Sequence, residues 1–489
     1  MDHAAFLSNP SRPAARASAC PALGRIVTSR DGGLCRVKLP GGKLSAAQAL
    51  AIAHAAETFA SGVLELTNRS NLQLRGVHDD AQAHLTRQLI DAGLGPRVQH
   101  DRNALHDPAG TSCIAHRTAV ADDVRNLMLS PAAGVDAGAL FDTTALADTL
   151  LIRLENEPRF AALSPKVSVL LDGGERLAAL DHPHDVWLSP MSPGTGREPM
   201  FVFGLAGAPG MTFAQALGAV RACDVPALVH ALLCNFIDLA DAGDKRMRDL
   251  LRTHRANDVA NRAAAHAGVT LHRNAAVDAW RRTPADPLRR FGAWPQRNAG
   301  LWHVGAQAPL GRLDAATLRA LADLARSYSP GGIRVTPWQG VMLTDVAHCD
   351  VAAVEQAFDR LNLIRSAQTP LGRLIACAGS TGCAKALSDT KADARDLAGR
   401  LNESVEVHLS GCVRSCAAAH RAPWTLVAVA PGRYDLYRHP AASLAIAGTA
   451  EPAGRRQADA GRFGERIATD MPLEAIALRL NSQDRIAQP

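Results

Sequence analysis

Lysine is nearly missing from this chain. Only six of its 53 basic residues are lysine, so almost every positive charge is a guanidinium, a group that keeps its proton at any working pH. Long apolar runs are missing too. No stretch of 18 consecutive apolar residues exists, and the opening Met1-Asp-His-Ala-Ala lacks the charged-then-apolar pattern of an export signal. Both absences argue against a membrane span or secretion, and a cytoplasmic protein with reduced thiols is expected. Neither sign of charge is in large excess. A net +6 over 489 residues tolerates an anionic substrate without calling for nucleic acid. No G-x-G-x-x-G follows a strand-like run, so NADH is not expected on this chain and electrons must come through a partner.

What is present, first, is a duplication. Strand-like Gly33–Leu39, a Pro40-Gly-Gly42 turn and a helix opening at Ser45 are followed by alternating strands at 63–66 and 71–75. Ser45 with Gln48 matches a capping box. The pattern returns 269 residues later without a gap: Pro40 meets Pro309, Gly42 meets Gly311, Thr67 meets Thr336, and Asp314 takes the capping place of Ser45. Eleven of the 35 positions from 40 to 74 are identical, and the shared Pro, Gly and Thr are hard to ascribe to alanine richness. A period this long denotes a duplicated domain rather than a solenoid. A second echo pairs Val167–Gly173 with Val405–Gly411. The resulting division is a loose arm at 1–19, half-domains at 20–100 and 301–368, α/β domains at 101–249 and 369–440, a connector at 250–300 and an extension at 441–489 with an amphipathic helix from Pro472.

Only the second half carries a cysteine constellation. Cys377-Ala-Gly-Ser-Thr-Gly-Cys383 is followed by Cys412-Val-Arg-Ser-Cys416, whereas Cys113 stands alone in the first half. A helix over 384–402 and a strand over 404–409 would bring the two loops together. Four thiolates suit a [4Fe–4S] cube, one per iron. Structural zinc also takes four cysteines, but its pairs are usually two to four residues apart. Cys20, Cys35, Cys223, Cys234 and Cys349 read as core residues rather than ligands.

These motifs resemble the sulfite/nitrite reductase superfamily, which carries C-x5-C…C-x3-C. The resemblance implies an α+β, internally duplicated fold, with two pseudo-two-fold-related halves that each hold a ferredoxin-like half-domain and an α/β domain. It implies that Cys377, Cys383, Cys412 and Cys416 ligate the cluster, with Cys416 bridging to a second iron centre. Thr67-Asn-Arg-Ser-Asn-Leu-Gln-Leu-Arg75 is similar to the reductases' T-x-R-x-x-x-Q segment, Asp123–Leu127 to their second arginine segment, and Leu163-Ser-Pro-Lys166 to their lysine segment. Arg69, Arg125 and Lys166 are thereby implied as catalytic, and Arg69, Gln73, Arg75 and Arg125 as a cradle for a tetrapyrrole's carboxylates. The reductases have a second lysine where this chain has Ser168.

The wording from Ala19-Cys-Pro21 to Gly42 resembles the precorrin-3B synthase branch of the superfamily. That branch implies O2-dependent hydroxylation of precorrin-3A at C20 with γ-lactone formation, a mononuclear non-haem iron beside the cluster, and an NADH-linked electron-donor reductase. The alternative is a siroheme-dependent sulfite or nitrite reductase on the same cysteines. A third reading, a cluster protein for electron transfer or regulation without catalysis, fits poorly with basic segments confined to one half.

Overall fold

The computed structural model describes residues 20–97, 118–192, 198–211, 215–402, 405–439 and 463–483. The arm at 1–19, Cys113 and the stretch 440–462 fall outside them. The fold is α+β and is built on four five-stranded sheets in two matched pairs.

In the first pair each half lends a strand to the other. The sheet of the first half-domain runs Val27–Ser29, Gly32–Val37, Leu72–Val77, Val63–Leu66, and is completed by Arg312–Asp314 from the second copy. The second sheet runs Gly292–Pro295, Leu301–Gln307, Gly340–Ala347, Ile333–Val335, and is completed by Lys43–Leu44 from the first. The registers are related by the sequence offset: Leu313 lies opposite Leu64, and Leu44 opposite Ile333. The duplication seen in the sequence is therefore a pseudo-two-fold in space.

The helices that follow the exchanged strands, Ala46–Phe59 and Ala315–Tyr328, lie against each other across this axis. Ser45 Oγ accepts from Gln48 N at 3.1 Å and Gln48 Oε1 from Ser45 N at 3.1 Å, closing the capping box. Asp314 caps its helix through Thr317 N at 2.7 Å. Buried Ala49, Ala53 and Ala56 allow close approach to Leu321, Ala322 and Ala325, and one hydrophobic core runs through both half-domains. Neither half has a closed core alone.

The second pair consists of α/β domains with the same strand order. Leu127–Met128, Val169–Leu171 and His184–Pro190 are parallel, with Met200–Gly207 and Gly218–Arg221 antiparallel. Leu374–Ala376, Val407–Ser410 and Trp424–Ala430 are parallel, with Arg433–Arg438 and Glu465–Pro472 antiparallel. The echo between 167–173 and 405–411 is thus the same central strand in two copies.

Several boundaries move. Gly292–Pro295 already belongs to the second half-domain's sheet, and helix Ala256–Ala267 packs in the first α/β core with Val225–Leu239. The stretch 250–300 is therefore folded into both neighbours. Glu465–Pro472 is the fifth strand of the cysteine-bearing sheet, and the helix Leu473–Gln483 buries Ile476 and Leu480 against it. The helix expected over 384–402 begins only at Thr390, because Asp389 accepts from Ala392 N and starts it there. The preceding turn is instead tied to the second cysteine loop by Leu387 N to Gly411 O, 2.8 Å. Residues 222–239 are long and apolar enough to cross a membrane, but 56% of that window is buried inside the domain, as in a core helix.

The strand exchange depends on tight turns. Gly42 has φ +69°, and a Cβ there would stand 2.1 Å from Val335 O across the axis. Gly42→Ala is expected to destabilise the protein by about 2 kcal/mol or more, through backbone strain and steric conflict. Urea unfolding measures it, and a loss below about 0.5 kcal/mol would show that the turn relaxes freely.

Candidate functional site

The two cysteine loops sit at the carboxyl ends of parallel strands. Cys377 follows Leu374–Ala376 and Cys412 follows Val407–Ser410, the edge at which α/β sheets place ligands. Cys377 Sγ accepts from Gly411 N at 3.2 Å and lies 3.4 Å from Thr390 Oγ1. A Cβ at Gly411 would stand 2.6 Å from Ala386 Cβ and 3.4 Å from Cys377 Sγ, so glycine is needed for the loops to close. Cys416 stands at the rim. Burial of its sulfur first, then the neighbouring Cys412, Cys377 and Cys383 thiols, push its pKa up.

Cys377, Cys383 and Cys412 thus lie near enough to act on the Cys416 sulfur. Among the described residues no three His, Cys, Asp or Glu side chains converge as they would on a single metal ion. Four thiols on two neighbouring loops, with a backbone N–H already directed at one sulfur, suit a cluster held at its corners.

The first half faces the cysteine loops. Asn68 Nδ2 donates to Cys416 O and Ala417 O, both at 3.2 Å. The neighbouring Arg69 reaches the first α/β domain. Its Nη1 donates to Ser168 Oγ at 3.0 Å and His184 Nδ1 at 3.3 Å, and its Nη2 to Pro183 O at 3.3 Å. Burial, reinforced by Arg246, lowers the Arg69 pKa to about 10, so it remains charged at neutral pH. Gln73 turns its amide oxygen to Arg36, 2.9 Å from Nη2. Neither Arg36 nor Arg69 forms a direct ion pair among the described residues; burial lowers the Arg36 pKa, offset in part by the Cys20 and Cys416 thiols and Asp122, while Asp185 acts on Arg69.

The other expected residues are placed differently. Arg125 is buried and committed to Asp122 Oδ1 at 2.8 Å, Leu94 O at 2.8 Å and Gly95 O at 3.2 Å. Arg75 is 3% exposed and bound to Asp31 and Glu65. Neither has the free guanidinium face that the expected carboxylate cradle needs. Lys166 is exposed on a turn, with no side-chain bond or ion pair among the described residues. Arg36, Asn68, His182 and His184 went unnoticed in the sequence. Arg36 had a signal: on Gly32–Val37 it alternates with buried Cys35 and Val37, and so shares a face with its partner Gln73.

Known proteins match this arrangement. The nitrite/sulfite reductase ferredoxin-like half domain is matched at residues 27–92 and 294–361, and the nitrite and sulphite reductase 4Fe-4S domain at residues 120–260. The chain belongs to the sulfite/nitrite reductase superfamily. The 4Fe-4S match lies on the first copy of the α/β domain, whereas the cysteine pairs lie on the second copy, which has the same strand order. Among superfamily relatives, a precorrin-3B synthase from a Sinorhizobium species is 29% identical over 88% of this chain and 84% of its own. A ferredoxin–nitrite reductase from Synechococcus elongatus is 29% identical over 78% of this chain and 73% of its own. The structure of the Mycobacterium tuberculosis NirA protein superposes with a TM-score of 0.70 at 19% identity, over 93% of this chain and 80% of that one, a likeness of fold.

The expected electron donor is corrected by these relatives. The Synechococcus reductase and its chloroplast counterparts from Zea mays, Oryza sativa and Arabidopsis thaliana are named for ferredoxin. They point to a one-electron iron–sulfur donor and not to an NADH-linked reductase.

Two outcomes follow from this geometry. Cys416→Ser is expected to abolish the iron and acid-labile sulfide of the purified protein, and retention of both would remove Cys416 from the ligand set. His182 is buried and stacks on His420 at 5.6 Å. Burial lowers its pKa to about 4 from an ordinary 6.5. Between those values the unfolded chain binds the proton and the folded one does not, so this contribution is present above pH 6.5 and lost as pH falls toward 4. It amounts to roughly 3 kcal/mol at most. Stability measured from pH 7 to pH 4 should fall less steeply in His182→Gln than in the parent.

Proposed function

We propose that this chain is a siroheme- and [4Fe–4S]-dependent reductase of nitrite or sulfite, supplied by a ferredoxin-type donor. The observation that carries the reading is the pair Arg36 and Arg69. Arg36 and Arg69 are desolvated and make no direct ion pair among the described residues, with Asp122 and Asp185 acting only at longer range; such charges favour an anionic occupant. A polycarboxylate tetrapyrrole and a small oxyanion both meet that demand. Cys377, Cys383, Cys412 and Cys416 would hold the cluster. When bound, the two groups supply one-electron reduction.

The chain's own residues do the rest. Asn68 fixes the carbonyl of Cys416 and so sets where that thiol stands relative to Arg69. Arg69 remains protonated and donates hydrogen bonds to anion oxygens as their charge grows. Ser168 and Pro183 O fix the angle of the Arg69 guanidinium. Lys166, exposed on its turn, can bring a proton.

A second reading is favoured by two observations. Ser168 stands where the reductases have a further lysine, and the precorrin-3B synthase match covers more of the chain than the nitrite reductase match. In it the same arginines bind the carboxylates of precorrin-3A, which is hydroxylated with O2 at C20 and closed to a γ-lactone.

Anaerobic purification with an absorption spectrum separates the readings. Siroheme bands and viologen- or ferredoxin-driven loss of nitrite or sulfite support the first. Their absence, with conversion of precorrin-3A in air, supports the second. In either case Arg69→Ala is expected to lower turnover about a hundredfold or more while leaving the cluster absorbance intact. Loss of that absorbance would mean that Arg69 serves the cysteine loops instead.

A further inference from the structure

We infer that Arg75 is the positioning residue of the cysteine site: it holds the Cys383 loop from the opposite half and sets a fixed positive charge beside it. Its sequence context groups it with substrate contacts, but its donors are directed elsewhere. Nε and Nη2 grip Asp31 at 2.7 and 2.9 Å, and Nη1 meets Glu65 at 3.3 Å. Nη2 also donates to Gly382 O at 2.5 Å, the carbonyl just before Cys383. Ser29 Oγ donates to that same oxygen at 2.5 Å, and Arg30 Nη1 to Ser380 O at 3.0 Å. Three donors of the first half-domain, Ser29 and Arg30 at one strand end and Arg75 on another strand, thus seize the loop between Cys377 and Cys383. A Cβ at Gly382 would lie 2.5 Å from Arg75 Nη2, so this close approach requires glycine.

The charge is not cancelled locally. Glu65 also receives Arg312 at 2.8 Å and lies 3.7 Å from Lys391 Nζ, which donates to Ala376 O beside Cys377 at 3.3 Å. Arg75, Arg312 and Lys391 face the two carboxylates Asp31 and Glu65, which leaves one net positive charge in a low-dielectric seam. A fixed cation and directed hydrogen bonds next to a thiolate-held group favour its more negative, reduced form. The inference rests on the cluster reading above and deepens it by naming what tunes the site.

The test compares the full-length parent, Arg75→Gln, Arg75→Lys and Gly382→Ala, each reconstituted with iron and sulfide. Iron and sulfide content, midpoint potential by spectroscopic titration, and hydrogen exchange of the 379–383 backbone before reconstitution are the readouts. The expected result is parental iron content throughout and a more negative potential in Arg75→Gln, largely restored in Arg75→Lys. Gly382→Ala, which displaces the guanidinium, shifts the potential the same way. Exchange at 379–383 rises at least tenfold in Arg75→Gln. Unchanged potential and exchange in Arg75→Gln, or a lysine variant no better than glutamine, overturns the inference. If Arg75→Gln does not fold, an unchanged potential in Gly382→Ala overturns it. A parent that takes up no iron and sulfide refutes the cluster reading instead, and the exchange measurement still decides whether the clamp exists.

Discussion

The rest of the structure depends on the reciprocal strand exchange. Lys43–Leu44 completes the second half-domain's sheet and Arg312–Asp314 completes the first. Each backbone ladder therefore ends on the other half, and the helices that follow are pressed together at the axis. Because these bonds are made by both copies at once, the halves cannot rotate apart without exposing a sheet edge and a shared core. This rigid seam brings a turn at residue 68 within hydrogen-bond reach of the carbonyl at residue 416.

With the scaffold fixed by symmetry, function comes from breaking it. The position of Arg69 is Trp338 in the second copy, and Trp338 is buried with Met342, Trp187 and Val202 in a cluster that joins the second half-domain to the first α/β domain. The position of Arg75 is Thr344, fully buried. One copy presents guanidiniums to the cysteine loops of its sister, while the other fills the equivalent place with an aromatic side chain. Likewise one α/β domain carries cysteines at its strand ends, and the other supplies Ser168, Pro183 and His184 to orient Arg69.

The basic residues divide by their partners rather than by their motifs. Arg75 and Arg125 are surrounded by carboxylates and carbonyls and hold loops in place. Arg36 and Arg69 contact hydroxyl, amide, imidazole and carbonyl groups and form no direct ion pair among the described residues. Four guanidiniums that look alike in a strand or turn differ in role because of the acids that the fold brings to two of them.

The sequence by itself determined the duplication, the capped helices at Ser45 and Asp314, the matching central strands and the cysteine set. All of these are local or periodic signals that survive without knowing what lies across the chain. Boundaries at 250–300 and after 440 were harder to see, because an edge strand is defined by its partner and not by its own residues. Tertiary structure alone decided which arginines form ion pairs and which backbone carbonyls Asn68 and Arg75 reach. Asp31, Glu65 and Asp122 neutralise particular cations only once distant segments are packed together. A charge's role is set by its surroundings, and only the folded chain supplies those.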